Sequence, residues 1–112
     1  MSVYLARWIV GYPIVQQRHL NLDAFEELAG VIALLESVEE IGYFLKDLLT
    51  PDEVEVFAAR WRVMRLLVEG ERPGEVHKTT GVSRTTIARA HRVVRYGTGI
   101  IETLVSRLSG TC

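Results

Sequence analysis

Apolar positions recur at helical spacing through most of this chain. From Asp23 to Ser37 one stripe runs through Phe25, Leu28, Ala29, Ile32 and Leu35, and Val31, Leu34 and Val38 widen it. A helix apolar over so much of its circumference needs burial on more than one side, and a chain this small offers that best through a partner subunit. Glu39 to Leu49 carries a second stripe at Ile41, Phe44, Leu45 and Leu48. Thr50-Pro51-Asp52-Glu53 is the clearest helix start. Thr50 can cap, Pro51 has the backbone angle of a first helical residue, and Glu53 can reach back to the cap's own N–H. Asp52 and Glu53 also stand at the positive end of the helix dipole. The helix so begun is predicted to run to about Glu69, with Phe57, Trp61, Met64, Leu67 and Val68 on one side, and Gly70 ends it. A last helix, from Thr98 to Leu108, follows the break at Gly97 and carries Ile100, Ile101, Leu104, Val105 and Leu108.

Between these lies the most informative stretch, 75–94. Val76, Thr80, Val82, Ile87 and Ala90 flank Gly81 at a spacing that suits two short helices meeting at a sharp turn. The first opens at Arg72-Pro73. Gly81 tolerates the left-handed backbone of such a turn, Ser83 can cap the second helix, and Val82 and Ile87 stand at the two positions of a hydrophobic staple. The second helix, 83–95, then turns Ser83, Arg84, Thr85, Ala88, Arg89 and Arg92 outward. Arginine bonds bidentately to guanine, and small hydroxyl side chains reach base edges or phosphates. The pattern predicts a helix-turn-helix with a recognition helix for the major groove.

Charge distribution points the same way. The chain is almost neutral, at −1, but residues 1–59 hold three basic and ten acidic side chains, and residues 60–112 hold ten basic and four acidic, giving −7 and +6. Within 76–95 five Lys or Arg stand with no acid. A basic face on an acidic body is an electrostatic footprint for a polyanion, although the same charges would also suit a solvated helix surface. The candidate DNA-binding residues are Lys78, Ser83, Arg84, Thr85, Thr86, Ala88, Arg89, Arg92 and Arg95. Arg84, Thr85 and Arg89 are expected at or near base edges, and Lys78, Arg92 and Arg95 on phosphates.

The remaining features bound the answer. With 112 residues, 48% of them hydrophobic and 24% charged, the chain is expected to form a core: one domain over 21–112, preceded by an arm over 1–20. Tyr4, Leu5, Trp8, Ile9 and Val10 suit an arm that packs on the body or on a partner, with Trp8 as an interface anchor; a poorly ordered terminus is the alternative. The single Cys112 forms no intrachain disulfide, and no apolar run has the length of a membrane span or the design of a signal peptide, so a cytoplasmic location is expected.

Leu49-Thr50-Pro51-Asp52-Glu53, Arg60, Leu66-Leu67-Val68-Glu69-Gly70, the run Thr80 to Arg89 and the pair Tyr96-Gly97 stand in an order that resembles the Trp repressor family, more nearly its bacterial branch without a known corepressor. The resemblance covers about residues 22–108. It implies an all-α, intertwined homodimer whose two recognition helices enter successive major grooves of a palindromic operator, ~34 Å apart. It also implies a possible small-molecule effector site at Thr50, Arg60 and Arg89. In the tryptophan-responsive members, however, a Gly stands where this chain has Ala90 and a Ser where it has Val93, and the connection from Gly70 to Gly81 is one residue shorter here. An added methyl and a lost polar partner each cost on the order of 1–3 kcal/mol, so tryptophan is not the expected ligand.

Other residues suggest less. His77 stands where the motif usually has a small residue, and a partly exposed packing role outweighs a pH-sensing one. His91 is expected near the DNA-facing side. Three widely spaced histidines and a terminal Cys make no metal signature, and no cofactor is expected. Glu26-Glu27 and Glu36, Glu39 and Glu40 suit solvated helix faces. No nucleophile stands with a base and no phosphate-cradling Gly loop appears, so an enzyme is not expected. A DNA-binding transcriptional regulator, a repressor by preference, is the expected function. The alternative is a protein-interaction module that keeps the helix-turn-helix shape.

Overall fold

The computed structural model describes residues 21–110. Six helices make up its regular structure: α1 Leu22–Ile32, α2 Val38–Leu48, α3 Pro51–Val68, α4 Pro73–Thr80, α5 Arg84–Tyr96 and α6 Ile100–Ser109. The expected all-α fold is what forms, and apart from the end of α1 the helices lie close to their predicted places. The arm over 1–20, with Trp8, and Cys112 lie outside the described residues. Of the described chain, residues 21–56 fall in one compact unit and residues 57–110 in a second, and α3 runs from the first into the second.

In the first unit the helix starts are set by side chains. Asn21 Oδ1 accepts from Ala24 N–H at 3.0 Å and caps α1. The apolar pattern predicts this helix as far as Ser37, yet it stops at Ile32. The reason lies downstream: Ser37 is the N-cap of α2, its Oγ accepting from Glu40 N–H at 3.0 Å, while Glu40 Oε1 accepts from Glu36 N–H at 2.9 Å. A capping residue has extended backbone, so Ser37 cannot also continue α1. Thr50 and Glu53 form the expected capping box, with Glu53 N–H on Thr50 Oγ1 at 3.2 Å and Thr50 N–H on Glu53 Oε1 at 2.8 Å. Neither α1 nor α2 has a fully buried residue.

In the second unit a small core forms from three helices. Val63 of α3, Val76 of α4, and Ile87 and Ala90 of α5 are buried together, ringed by Met64, Leu66, Leu67 and Val82. Val63 is the one buried residue of α3, and it lies beside the stripe read from the sequence rather than on it. That stripe is wetter than expected: Phe57 is 51% exposed and Trp61 is half-buried. The side of α3 that buries is set by where α4 and α5 dock, which no periodicity within α3 records. After Val68 the chain turns through Gly70, with Glu71 N–H on Leu66 O and Gly70 N–H on Leu67 O, both at 3.1 Å. The paired bonds satisfy two of the carbonyls left open at the helix end.

At the other end of α5, Gly97 N–H donates to Val93 O at 2.8 Å. The backbone comes so close that a Cβ on Gly97 would lie 2.5 Å from that carbonyl oxygen. Backbone cannot yield as a flexible side chain does, so only glycine fits between α5 and α6. Gly97→Ala should destabilise the chain by about 1–3 kcal/mol, the usual range for overpacking a closed contact, read as a lower urea midpoint with an unchanged slope. An unchanged midpoint would mean that the α5–α6 junction opens without cost.

Candidate nucleic-acid interface

The pair α4 and α5 is built from the turn outward. Gly81 closes α4 with a left-handed backbone, φ 74°, and donates its N–H to His77 O at 2.9 Å. Thr80 donates its hydroxyl to Val76 O at 2.7 Å and accepts from Val82 N–H at 3.2 Å. His77 Nδ1 lies 2.7 Å from Val82 O. A carbonyl can only accept, so the imidazole donates here. Ser83 then caps α5: its Oγ accepts from Thr86 N–H at 3.3 Å and donates to Thr86 Oγ1 at 2.9 Å. Val82, half-buried, packs against the core cluster to which Ile87 belongs, in keeping with the staple read from the sequence.

The inner edge of α5 is fixed by Ile87 and Ala90, 1% and 3% exposed. The remaining faces stay outside. Arg84, Thr85, Ala88, Arg89, Arg92 and Arg95 are all exposed, as are Ser83 and Lys78, whereas Thr86 and His91 are half-buried. Every residue of the predicted DNA-binding set therefore sits on α4, the turn or α5, within one compact unit. Among the described residues Arg84, Arg89 and Arg92 have no carboxylate partner. Arg95 lies over the Tyr96 ring, 5.7 Å from its centroid. Lys78 pairs with Glu75 at 3.7 Å, but both side chains are well exposed, and such a pair is worth well under about 1 kcal/mol. Ser83 is already engaged as the cap, so its part in any contact is to set the helix start, and Thr86 joins it in that local pair.

The three residues proposed for an effector stand apart in character. Thr50 has its hydroxyl committed to Glu53 N–H and belongs to the unit 21–56, while Arg60 and Arg89 are exposed in the unit 57–110. Ala90 turns its methyl into the core cluster. Val93 instead lines a cavity of about 230 Å³ with Met64, Val94, the 97–99 turn, Ile100, Ile101 and Glu102. This cavity is walled mainly by apolar side chains and lies at the α5–α6 junction. Among the described residues no His, Cys, Asp and Glu gather in a group of three or more that could hold a metal ion, and no helix is long and apolar enough to cross a membrane.

Sequence reasoning did not find the two side chains that hold the turn. A Thr at the end of a helix can bond back to the carbonyl four residues earlier, which is a usable signal for Thr80. The His77 bond spans five residues across a glycine turn and has no periodic signature.

Comparison with known proteins agrees with this geometry. The model of the family described as Trp repressor protein matches residues 23–109. The uncharacterized protein YerC of Bacillus subtilis (strain 168) is 34% identical over 86 residues, which are 77% of this chain and 83% of that protein. No solved structure gives a significant match.

Proposed function

Because the chain belongs to the Trp repressor family, a helix-turn-helix family of DNA-binding regulators, we propose that it is a sequence-specific DNA-binding repressor that lays α5 in the major groove. One observation carries the reading. The buried edge of α5 locks the helix in place, and its outward face presents four arginines with no acidic residue anywhere in 76–95. Arg84, Thr85 and Arg89 read base edges near the start of the helix. Lys78, Arg92 and Arg95 hold phosphates, and exposed Ala88 lets the helix approach closely. The working form is a homodimer on a palindromic operator. Its support is the apolar surface left open in one chain: Leu34 is 74% exposed, Val38 86% and Leu108 69%. A cytoplasmic location goes with that role.

Selection of bound sites from a random duplex library tests the reading, with a palindromic consensus as the expected result. On that operator Arg84→Ala should cost roughly 1–3 kcal/mol and relax preference at one base position. Arg95→Ala should weaken all duplexes alike and lower the log–log salt slope by about 0.9. Unchanged preference in Arg84→Ala would displace α5 as the reading helix.

Sedimentation at micromolar concentration should show a dimer that does not separate into compact monomers. A compact monomer would refute the proposed assembly.

An effector at Thr50, Arg60 and Arg89 would act only by favouring the DNA-competent arrangement. Val93 offers no polar group and Ala90 is committed to the core, so operator affinity should be the same with and without millimolar L-tryptophan. A tenfold tightening, about 1.4 kcal/mol of coupling, would restore a tryptophan corepressor.

A further inference from the structure

The turn between α4 and α5 contains one residue whose backbone groups helix geometry alone does not serve. Val82 lies between the end of α4 and the cap of α5, and neither its N–H nor its C=O has a backbone partner among the described residues. Both are nevertheless satisfied, and both by side chains of α4: Thr80 Oγ1 accepts from the N–H at 3.2 Å, and His77 Nδ1–H donates to the C=O at 2.7 Å. Thr80 is itself anchored on Val76 O at 2.7 Å, and His77 also holds Gly81 N–H through its own carbonyl at 2.9 Å. The residue so gripped immediately precedes Ser83, whose backbone sets where α5 begins and which way it points.

We propose that His77 is a positioning residue for the recognition helix: its imidazole, fixed as the Nδ1–H form, clamps the Val82 carbonyl and so sets the direction in which α5 leaves the turn. The observation that selects His77 is chemical. At 2.7 Å from a carbonyl oxygen Nδ1 must carry a proton, and in the neutral ring this leaves Nε2 bare. The bond is partly buried, so removing the donor leaves a carbonyl with poorer access to water. The consequence for DNA rests on the reading of α5 as the recognition helix, but the clamp itself does not.

The experiment therefore has two arms. In the first, without DNA, imidazole ¹⁵N NMR of the wild-type chain at a pH where His77 is neutral should show Nδ1 protonated and Nε2 bare. A ring protonated at Nε2 instead overturns the proposal. Amide exchange at Thr86 and Ile87 should quicken by roughly 2–10-fold in His77→Ala. It should return towards wild type in His77→Asn, whose Nδ2–H occupies the place of Nδ1–H, and should not return in His77→Gln, whose amide lies one carbon further out. Equal exchange in the Ala and Asn variants overturns the proposal, whatever their overall stability. In the second arm, affinity for the selected operator should fall roughly 2–10-fold in His77→Ala and His77→Gln and recover in His77→Asn. Wild-type protein that shows the clamp by NMR yet binds no duplex would refute the DNA reading alone and leave the clamp standing. Rescued exchange without rescued affinity would overturn the assigned role in positioning α5.

Discussion

Val63, Val76, Ile87 and Ala90 are the contact on which the second unit turns. One comes from α3, one from α4 and two from one side of α5, and together they join the three helices. Truncating a buried Ile in such a setting costs about 2–5 kcal/mol, against about 5–15 for the whole stability of a typical domain. So small a cluster can hold a helix in one orientation only because polar bonds finish what packing begins. Thr80, His77 and Ser83 satisfy the turn that hydrophobic contact cannot reach. The result is a helix, α5, with one edge buried and its other faces exposed.

That outward face is left without internal compensation. Ten of the fourteen acidic residues lie within 23–55, whereas 76–95 holds five Lys or Arg and no acid. Exposed arginines with no carboxylate partner gain little for folding. On the proposed reading their partner is duplex DNA, whose condensed counterions are released as phosphates are neutralised. On that reading a few apolar and polar contacts fix the helix, and binding is left to charge. The first unit shows the complementary arrangement. Its helices are capped by side chains, at Asn21, Ser37 and Thr50, yet bury no residue fully within one chain.

Much of this is legible in the sequence alone. The capping box at Thr50 and Glu53, the glycine turn at Gly81, the Ser83 cap and the Val82–Ile87 staple are local, and local chemistry leaves a mark at fixed spacing. Other features were not legible because they are set from outside the segment. Ser37 reads as the end of one apolar stripe but serves as the start of the next helix, since a cap outcompetes continuation. Val63 lies off its helix's stripe because α4 and α5 choose which side of α3 is covered. Of the candidate DNA-binding residues, sequence placed the outward arginines on one element. It could not show that the Ser83 and Thr86 hydroxyls are occupied with each other.

The central claim, that the exposed face of α4 and α5 meets duplex DNA, is tested most directly by amide chemical-shift mapping during titration with the selected operator. The account predicts that the shifted amides cluster within 78–95, at Lys78, the turn and the first three turns of α5, and that added salt reverses them. Shifts confined to 21–56, or a titration that leaves 78–95 unmoved, would contradict it.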